Sequence, residues 1–240
     1  MTRSLRLPLS MLALALAPAA PAAAQSTGGT EAGRSPSSEG GHVATVNDGT
    51  FSLSARSNAL LGHVVTFRGS VPAEEAGRSM AVERFDNKTT QWLAEAVTTV
   101  AGDGTFVARW RTDHIGRFRL RARIEGDGAR SASASPELSL TVYKPAKATW
   151  YGPGFYGRRT ACGQKMTRTL VGVAHRWLPC GTRVAVFYGG RTMTVPVVDR
   201  GPYANGAHWD LTYAAAQALD FRFTDVLGAV RLREPAPERR

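Results

Sequence analysis

The chain has 240 residues, 43% of them hydrophobic, and a formal net charge of +11. This length allows one large domain or two small ones, and the sequence has no apolar run long enough for a spanning helix. The basic residues are scattered and no nucleic-acid-binding motif accompanies them, so the charge predicts attraction to anionic surfaces and argues against a nucleic-acid partner.

Residues 1–24 have the layout of a secretory signal peptide. Two arginines precede an apolar run from Leu9 to Ala17, and small residues lead to Ala24. We therefore expect cleavage near Ala24 and an exported protein, located in the periplasm, in the cell wall or outside the cell. No cysteine lies near the cleavage site, so the sequence does not predict an N-terminal lipid anchor.

Residues 25–43 are rich in Gly, Ser, Thr, Pro and charge and predict a flexible linker. Residues 44–145 contain seven short runs with period-two alternation, many separated by turn signals such as NDG and EGDG. This pattern predicts an antiparallel β-sandwich of immunoglobulin-like type. In the run GRFRLRARI the arginines would share one face. That arginine row either binds anionic glycan or is the solvated face of a strand.

Residues 148–234 are predicted to form a second domain, after a joint at 144–150 and before a frayed tail at 235–240. Strands are predicted for TLVGVAH, RVAVFYG, RTMTVPVVD and GAVRLRE, and a short helix for TYAAAQALDF. This segment is too short and strand-dense for a parallel α/β sheet, and a small closed barrel fits it better. The sequence thus predicts an all-β protein with one short helix.

The chain contains two cysteines, Cys162 and Cys180. An even number in an exported chain favours a disulfide. A metal site would need His or Asp partners at ligand spacing, and the sequence shows no such cluster. We therefore predict a disulfide and neither a metal nor an organic cofactor.

Two aspartates suggest a catalytic site. Asp199 ends the apolar run VPVV, and Asp210 stands eleven residues later, just before the predicted helix. Cleavage of a glycosidic bond needs an acid for the leaving oxygen and a base for the nucleophile. Apolar surroundings would raise the pKa of Asp199, whereas a helix N-terminus would keep that of Asp210 low. Alternatively, Asp199 only caps its turn and Asp210 only caps the helix.

Four segments of the second domain resemble a known family in order and spacing: ATWYGPGFYGRRTACGQKM, VAHRWLPCGTRV, VPVVDRGPY and HWDLTYAAAQAL. They are similar to the rare lipoprotein A (RlpA)-like domain, a double-psi β-barrel of bacterial cell-wall lytic transglycosylases. HWDL is also similar to expansins and related endoglucanases. The resemblance implies cleavage of the β-1,4 bond between N-acetylmuramic acid and N-acetylglucosamine, with a 1,6-anhydro end. The expected partners are peptidoglycan glycan strands, with other anionic wall polymers as further candidates.

This resemblance implies that Asp199 is both acid and base and that His175 orients Asp199 or the sugar. The substrate-binding residues expected around them are Asp210, Gln164, Tyr151, Tyr156, Arg200 and His208. The aromatic residues among them either stack on sugar rings or pack into the barrel core.

Gln164 stands where the family commonly has Glu, and glutamine cannot titrate. This departure favours an alternative function, an expansin-like module that binds wall glycan without cutting it. A third possibility is a structural or adhesion protein whose sandwich domain binds another protein.

Overall fold

A computed structural model describes residues 42–126 and 132–232. The predicted signal peptide, nearly all of the predicted linker and the predicted tail lie outside the described residues. The described residues are mostly strands and contain one α-helix, which confirms the all-β class with one short helix. Within these residues, no helix has the length and apolar character needed to cross a membrane.

The N-terminal part consists of two sheets. The first is built from β1 (Val43–Asn47), β2 (Ser52–Arg56), β4 (Val64–Ser70) and β7 (Thr105–Arg111), in that order. The second runs from β6 (Gln91–Thr99) through β5 (Ser79–Asp86) and β8 (Gly116–Ile124) to the first half of β10 (Leu138–Tyr151). Two short strands add to this sheet: β3 (Asn58–Leu60) pairs with β10, and β9 (Ser133–Ala134) pairs with β8.

The seven sequence runs predicted as strands in this part are all strands. Alternation places one set of their side chains in a shared hydrophobic core, including Leu53, Phe67, Val82, Leu120 and Leu140, all fully buried. A 3₁₀ turn at Ala73–Glu75 connects β4 to β5. The immunoglobulin-like assignment of this part stays a prediction.

Three of the four arginines in the β8 row form ion pairs with two neighbouring carboxylates, Glu137 and Glu83. Arg119 Nε donates to Glu137 Oε2 at 2.5 Å, and Arg121 Nε donates to Glu83 Oε2 at 2.8 Å. The Arg121 guanidinium also lies 4.1 Å from the centre of the Trp92 ring. These contacts favour the interpretation of the row as a strand face over that of a glycan-binding strip.

The C-terminal part is a closed barrel of six strands. They are the second half of β10, β11 (Val173–Ala174), β12 (Arg183–Tyr188), β13 (Arg191–Asp199), β14 (Trp209–Thr212) and β15 (Asp225–Arg231). Their order is β14-β11-β13-β12-β15-β10, and a parallel β10–β14 pair closes the barrel. The helix α1 (Tyr213–Leu219) follows β14. Of these strands, β14 was not predicted, since HWDLT is short and mixes polar with apolar residues.

The residues of the predicted joint, 144–150, belong to the second half of β10. The first half of this strand pairs with β8, and the second half with β14 and β15. Where β10 passes from one part to the other, a small separate core is formed by Leu60, Tyr143, Ala185 and Phe187. The rings of Tyr143 and Phe187 stack with their centroids 5.3 Å apart. A shared strand and a packed contact therefore join the two parts.

Candidate active site

Four barrel strands place two aspartates on one outer face. The pairing registers align Asp199 with Ala174, Ala174 with Asp210, and Asp210 with Thr149. Because neighbouring strands lie about 4.8 Å apart, two strand spacings, roughly 10 Å, separate the Cα atoms of the aspartates. Ala174, which stands between the two aspartates in the pairing register, is 2% exposed. We call these four residues the carboxylate row.

A β-bulge turns Asp199 toward this outer face. Val195 and Val197 are fully buried in the barrel core, and strict alternation would point Asp199 the same way. Instead the register shifts by one residue, so that Val173 pairs with Val197 but Ala174 pairs with Asp199. Such bulges re-aim side chains, often next to active sites.

All four residues of the carboxylate row line a groove of about 560 Å³. Tyr151 and Arg200, both predicted site residues, line it as well. Three exposed aromatic side chains lie on three loops that border it: Phe155 (49% exposed), Tyr203 (78%) and Phe223 (77%). Phe223, next to the groove-lining Thr224, was missed by the sequence reasoning. An aromatic residue in a polar turn after the helix is the signal that could have indicated it.

Three donors hold the Asp199 carboxylate. Its Oδ1 accepts hydrogen bonds from the backbone N–H groups of Ala161 and Arg200, both at 2.8 Å. The hydroxyl of Tyr151 donates to Oδ2 at 3.2 Å. Burial and the neighbouring charge of Asp199 raise the pKa of Tyr151 well above its ordinary value, so the phenol remains a proton donor. Asp199 is thus fixed from three directions.

Asp210 has a different environment. It accepts a hydrogen bond from the Thr149 hydroxyl at 2.7 Å. Burial raises the pKa of Asp210 to about 6, opposed by the Thr149 hydrogen bond and assisted by the charge of Asp199. The expected low pKa is therefore wrong, because Asp210 does not cap the helix. The cap is Thr212, whose Oγ1 accepts from the backbone N–H of Ala215 at 3.4 Å.

His175 is connected to Asp199 through the main chain. Its backbone N–H donates to the Asp199 carbonyl at 3.1 Å. The ring Nδ1 accepts from the backbone N–H groups of Trp177 (3.2 Å) and Leu178 (3.0 Å), which places the proton of the neutral ring on Nε2. The ring packs on Trp209, with centroids 4.5 Å apart, and burial lowers the pKa of His175. Within residues 42–126 and 132–232, no hydrogen bond joins this ring to the Asp199 carboxylate.

Like His175, three other predicted site residues do not line the groove. Gln164 is exposed, and its Oε1 accepts from the Thr160 hydroxyl at 3.1 Å. The Tyr156 ring instead contacts the Arg168 guanidinium, 5.6 Å from its centroid. His208 is exposed. The side chains of these three residues are therefore not among those that line the groove.

Arg176, which the sequence reasoning did not select, holds the loop that carries Tyr203. Its Nε donates to the Pro202 carbonyl at 2.5 Å, and its Nη2 donates to the Ala207 carbonyl. Only its place beside His175 could have drawn attention to it. The predicted disulfide between Cys162 and Cys180 is present.

The sequence profile of a family described as "Lytic transglycolase" matches residues 144–233. Among curated proteins, the "Probable endolytic peptidoglycan transglycosylase RlpA" of Synechocystis is 44% identical over 100 residues, which are 41% of this chain and 31% of that protein. The protein of the same name from Aquifex aeolicus is 50% identical over 74 residues, 30% of this chain and 33% of the relative. The "Endolytic peptidoglycan transglycosylase RlpA" of Campylobacter jejuni is 40% identical over 75 residues, 30% of this chain and 27% of the relative.

The matched segments thus span about a third of the length of these relatives. Among solved structures, the "Streptomyces papain inhibitor (SPI)" is 30% identical and aligns with 37% of this chain and 92% of its own, with a TM-score of 0.31.

Proposed function

Because residues 144–233 match the family described as "Lytic transglycolase" and are similar to RlpA transglycosylases, we propose that this protein is an exported peptidoglycan lytic transglycosylase. Its substrate is the glycan strand, cut between N-acetylmuramic acid and N-acetylglucosamine. The observation that carries the proposal is the carboxylate row. It presents two aspartates in one groove, and their different surroundings suit different chemical roles.

The reaction breaks the bond between C1 of the muramic sugar and the oxygen at C4 of its neighbour. An acid protonates the departing oxygen, and the 6-hydroxyl of the muramic sugar then attacks C1 and loses its own proton. Leaving and attacking oxygens occupy the same face of the ring, so one carboxyl group can give the first proton and take the second. The positive charge that develops at C1 between these steps needs a stabilising anion.

We assign the acid and base role to Asp210. A general acid works best when its pKa lies near the working pH, and the pKa of Asp210 is about 6. Asp199 is held by three donors and faces the same groove, so it serves as the fixed carboxylate that stabilises charge at C1. The sequence had instead predicted the acid and base role for Asp199 and placed Asp210 among the substrate-binding residues. His175 supports Asp199 through its backbone hydrogen bond.

The groove also offers a surface for sugar rings. Apolar faces of sugars stack on aromatic side chains, and Phe155, Tyr203 and Phe223 are exposed on the three loops around the carboxylate row. The net charge of +11 supports attraction to other anionic wall polymers only in a general way.

The test is mass spectrometry of the products released from peptide-free glycan strands. We expect 1,6-anhydro-muramic ends from the wild type, and a decrease in kcat of roughly 10²–10³-fold for Asp199→Asn and Asp210→Asn. The wild-type rate should fall as the pH rises through about 6, because the acid form of Asp210 is lost. In Asp199→Asn this decline should move to lower pH, since a charge that raises the pKa of Asp210 is gone.

The matched control is Asp220→Asn. Asp220 belongs to the same barrel, is exposed, pairs with Arg222 and does not line the groove. Its φ of 56° suits asparagine, so this variant should keep full activity. Reducing ends in place of anhydro ends would mean hydrolysis. Firm binding without release by any variant would instead support the non-cutting wall module.

Gln164 does not by itself decide between these outcomes. Its exposed side chain is bonded to Thr160 and does not line the groove. Replacement of Gln164 by Glu therefore leaves the carboxylate row unchanged, and we expect less than about a threefold change in kcat.

A further inference from the structure

A short hairpin, residues 157–166, lies next to the groove. The backbone N–H of Gly157 donates to the carbonyl of Met166 at 2.9 Å, and the N–H of Met166 donates to the carbonyl of Arg158 at 2.8 Å. Met166 is 2% exposed and anchors the base of the hairpin. The tip of the hairpin, residues 160–164, is the part farthest along the chain from this anchor.

The tip contacts Asp199. The backbone N–H of Ala161 donates to Asp199 Oδ1 at 2.8 Å. The next residue, Cys162, forms the disulfide with Cys180, 18 residues later in the chain. Arg200 Nη1 lies 3.9 Å from Cys162 Sγ. Because Ala161 is exposed, the packing of its side chain does not hold its N–H in place.

We propose that the Cys162–Cys180 disulfide positions the Asp199 carboxylate by holding the Ala161 N–H against it, and that turnover is therefore sensitive to reduction. This inference rests on the proposed function. Cys162, which the disulfide holds, directly follows Ala161, which donates the hydrogen bond. A displacement of Cys162 therefore displaces the Ala161 N–H as well. A hydrogen bond weakens steeply once its length or angle leaves the ordinary range.

The chemical step is thiol–disulfide exchange with a dithiol reductant. The S–S bond breaks, each protein sulfur gains one electron and one proton, and the reductant is oxidised to its own disulfide. The hairpin then remains anchored at its base while its tip is released, and the Ala161 N–H turns to water. Asp199 keeps its hydrogen bonds from Arg200 and Tyr151, so substrate binding persists while turnover falls.

The experiment compares the oxidised protein, the protein reduced with dithiothreitol, and the double variant Cys162→Ser with Cys180→Ser on peptide-free glycan strands. We expect kcat to fall about tenfold in the last two, the loss of one hydrogen bond to a charged group, with KM changed less than about twofold. Ala161→Pro keeps the disulfide and removes the N–H. Its kcat should fall by the same factor, and reduction should then lower it no further.

Phe67→Leu is the control for a general loss of stability, because it weakens the N-terminal core far from the hairpin in sequence and fold. Its kcat should stay unchanged. Equal kcat values for the oxidised and reduced wild type would overturn the proposal, as would independent, additive losses from Ala161→Pro and from reduction.

A second readout needs no activity. Amide hydrogen exchange at Ala161 should be protected in the oxidised protein and at least about tenfold faster after reduction. If the oxidised wild type releases no anhydro products, the proposed function has failed, and this measurement still decides the positioning. Unchanged exchange at Ala161 on reduction would reject it.

Discussion

Burial determines how each residue of the carboxylate row can act. Asp210 lies on β14 and accepts one side-chain hydrogen bond, from the Thr149 hydroxyl. Burial raises its pKa to about 6. Asp199, on the same face, accepts from two backbone N–H groups and a phenol. The same residue type therefore serves two roles through its surroundings, as paired carboxylates in glycosidases do.

The raised pKa of Asp210 has a consequence for stability. Its ordinary value is 3.8 and its folded value about 6, so its contribution to stability is full below pH 4 and is lost as the pH rises through 6. We expect Asp210→Asn to be more stable than the wild type at pH 8, by at most about 3 kcal/mol, with the difference vanishing below pH 4. Urea unfolding at pH 3.5, 6 and 8 measures this.

Asp220→Asn again serves as the control, because the Arg222 partner lowers the pKa of Asp220. Removal of the Asp220 charge should therefore not increase the stability of the protein at pH 8. If the difference in stability between Asp210→Asn and the wild type were the same at all three pH values, the raised pKa of Asp210 would be contradicted.

His175 provides a second prediction at the residue scale. Burial, Arg176 and Arg200 lower its pKa below 6.5, and protonation of Nδ1 would also break its hydrogen bonds from Trp177 and Leu178. We expect the ring to titrate with a midpoint below 6.5, measured by NMR of its Cε1–H signal. A midpoint for His175 at or above 6.5 would show that the ring is not held as described.

At the scale of elements, the bulge in β13 decides which way Asp199 points. Alternation alone would direct it into the barrel with Val195 and Val197. The space beside the bulge is tight, because a Cβ added to Gly172 would lie 2.5 Å from both Cγ atoms of Val198. Gly172 is therefore required by a close approach and not by its backbone conformation.

We expect Gly172→Ala to destabilise the protein by about 1–3 kcal/mol, because overpacking a buried site forces its neighbours to shift. The double variant with Val198→Ala should recover part of this loss, since the clashing Cγ atoms are removed. Guanidinium unfolding of the single and double variants gives the coupling between the two sites. Gly102→Ala is the control, because nothing lies within 4 Å of its added Cβ. Strictly additive effects would mean that Gly172 and Val198 do not meet.

At the scale of the whole molecule, β10 carries both halves. It pairs with β8 on one side of residue 143 and with β14 and β15 on the other. The cluster of Leu60, Tyr143, Ala185 and Phe187 adds a packed contact between them. A continuous strand and a packed contact therefore connect the N-terminal part to the barrel that carries the groove.

We expect this arrangement to make the molecule unfold in one cooperative transition. Phe187→Ala should cost about 3–5 kcal/mol, as for other buried aromatic residues, and should separate the transition into two. Differential scanning calorimetry measures both effects. Phe106→Ala is the matched control, since Phe106 is as buried as Phe187 but lies in the N-terminal core. Two transitions in the wild type would contradict the joined architecture.

Much of this protein follows from local sequence. Alternating runs determined the seven strands of the N-terminal part, because side chains in a strand point to opposite faces in turn. The alanine-rich run determined α1, and the cysteine count indicated the disulfide that the structure contains. The aspartates at 199 and 210 stood out because each follows or precedes a clear structural element. Except for the cysteine count, each of these signals lies within a few consecutive residues.

Other features depend on residues that are distant in the chain and were decided by the tertiary structure. The pairing of β14 with β10 and β11 brings Asp210 to Thr149 and Ala174. The bulge reverses the direction of Asp199, and burial in the groove raises the pKa of Asp210. The continuation of β10 through the expected joint likewise depends on distant strands, since β8 pairs with its first half and β14 and β15 pair with its second half. Register, burial and desolvation depend on which residues are close in space. A single sequence shows only which residues are close along the chain.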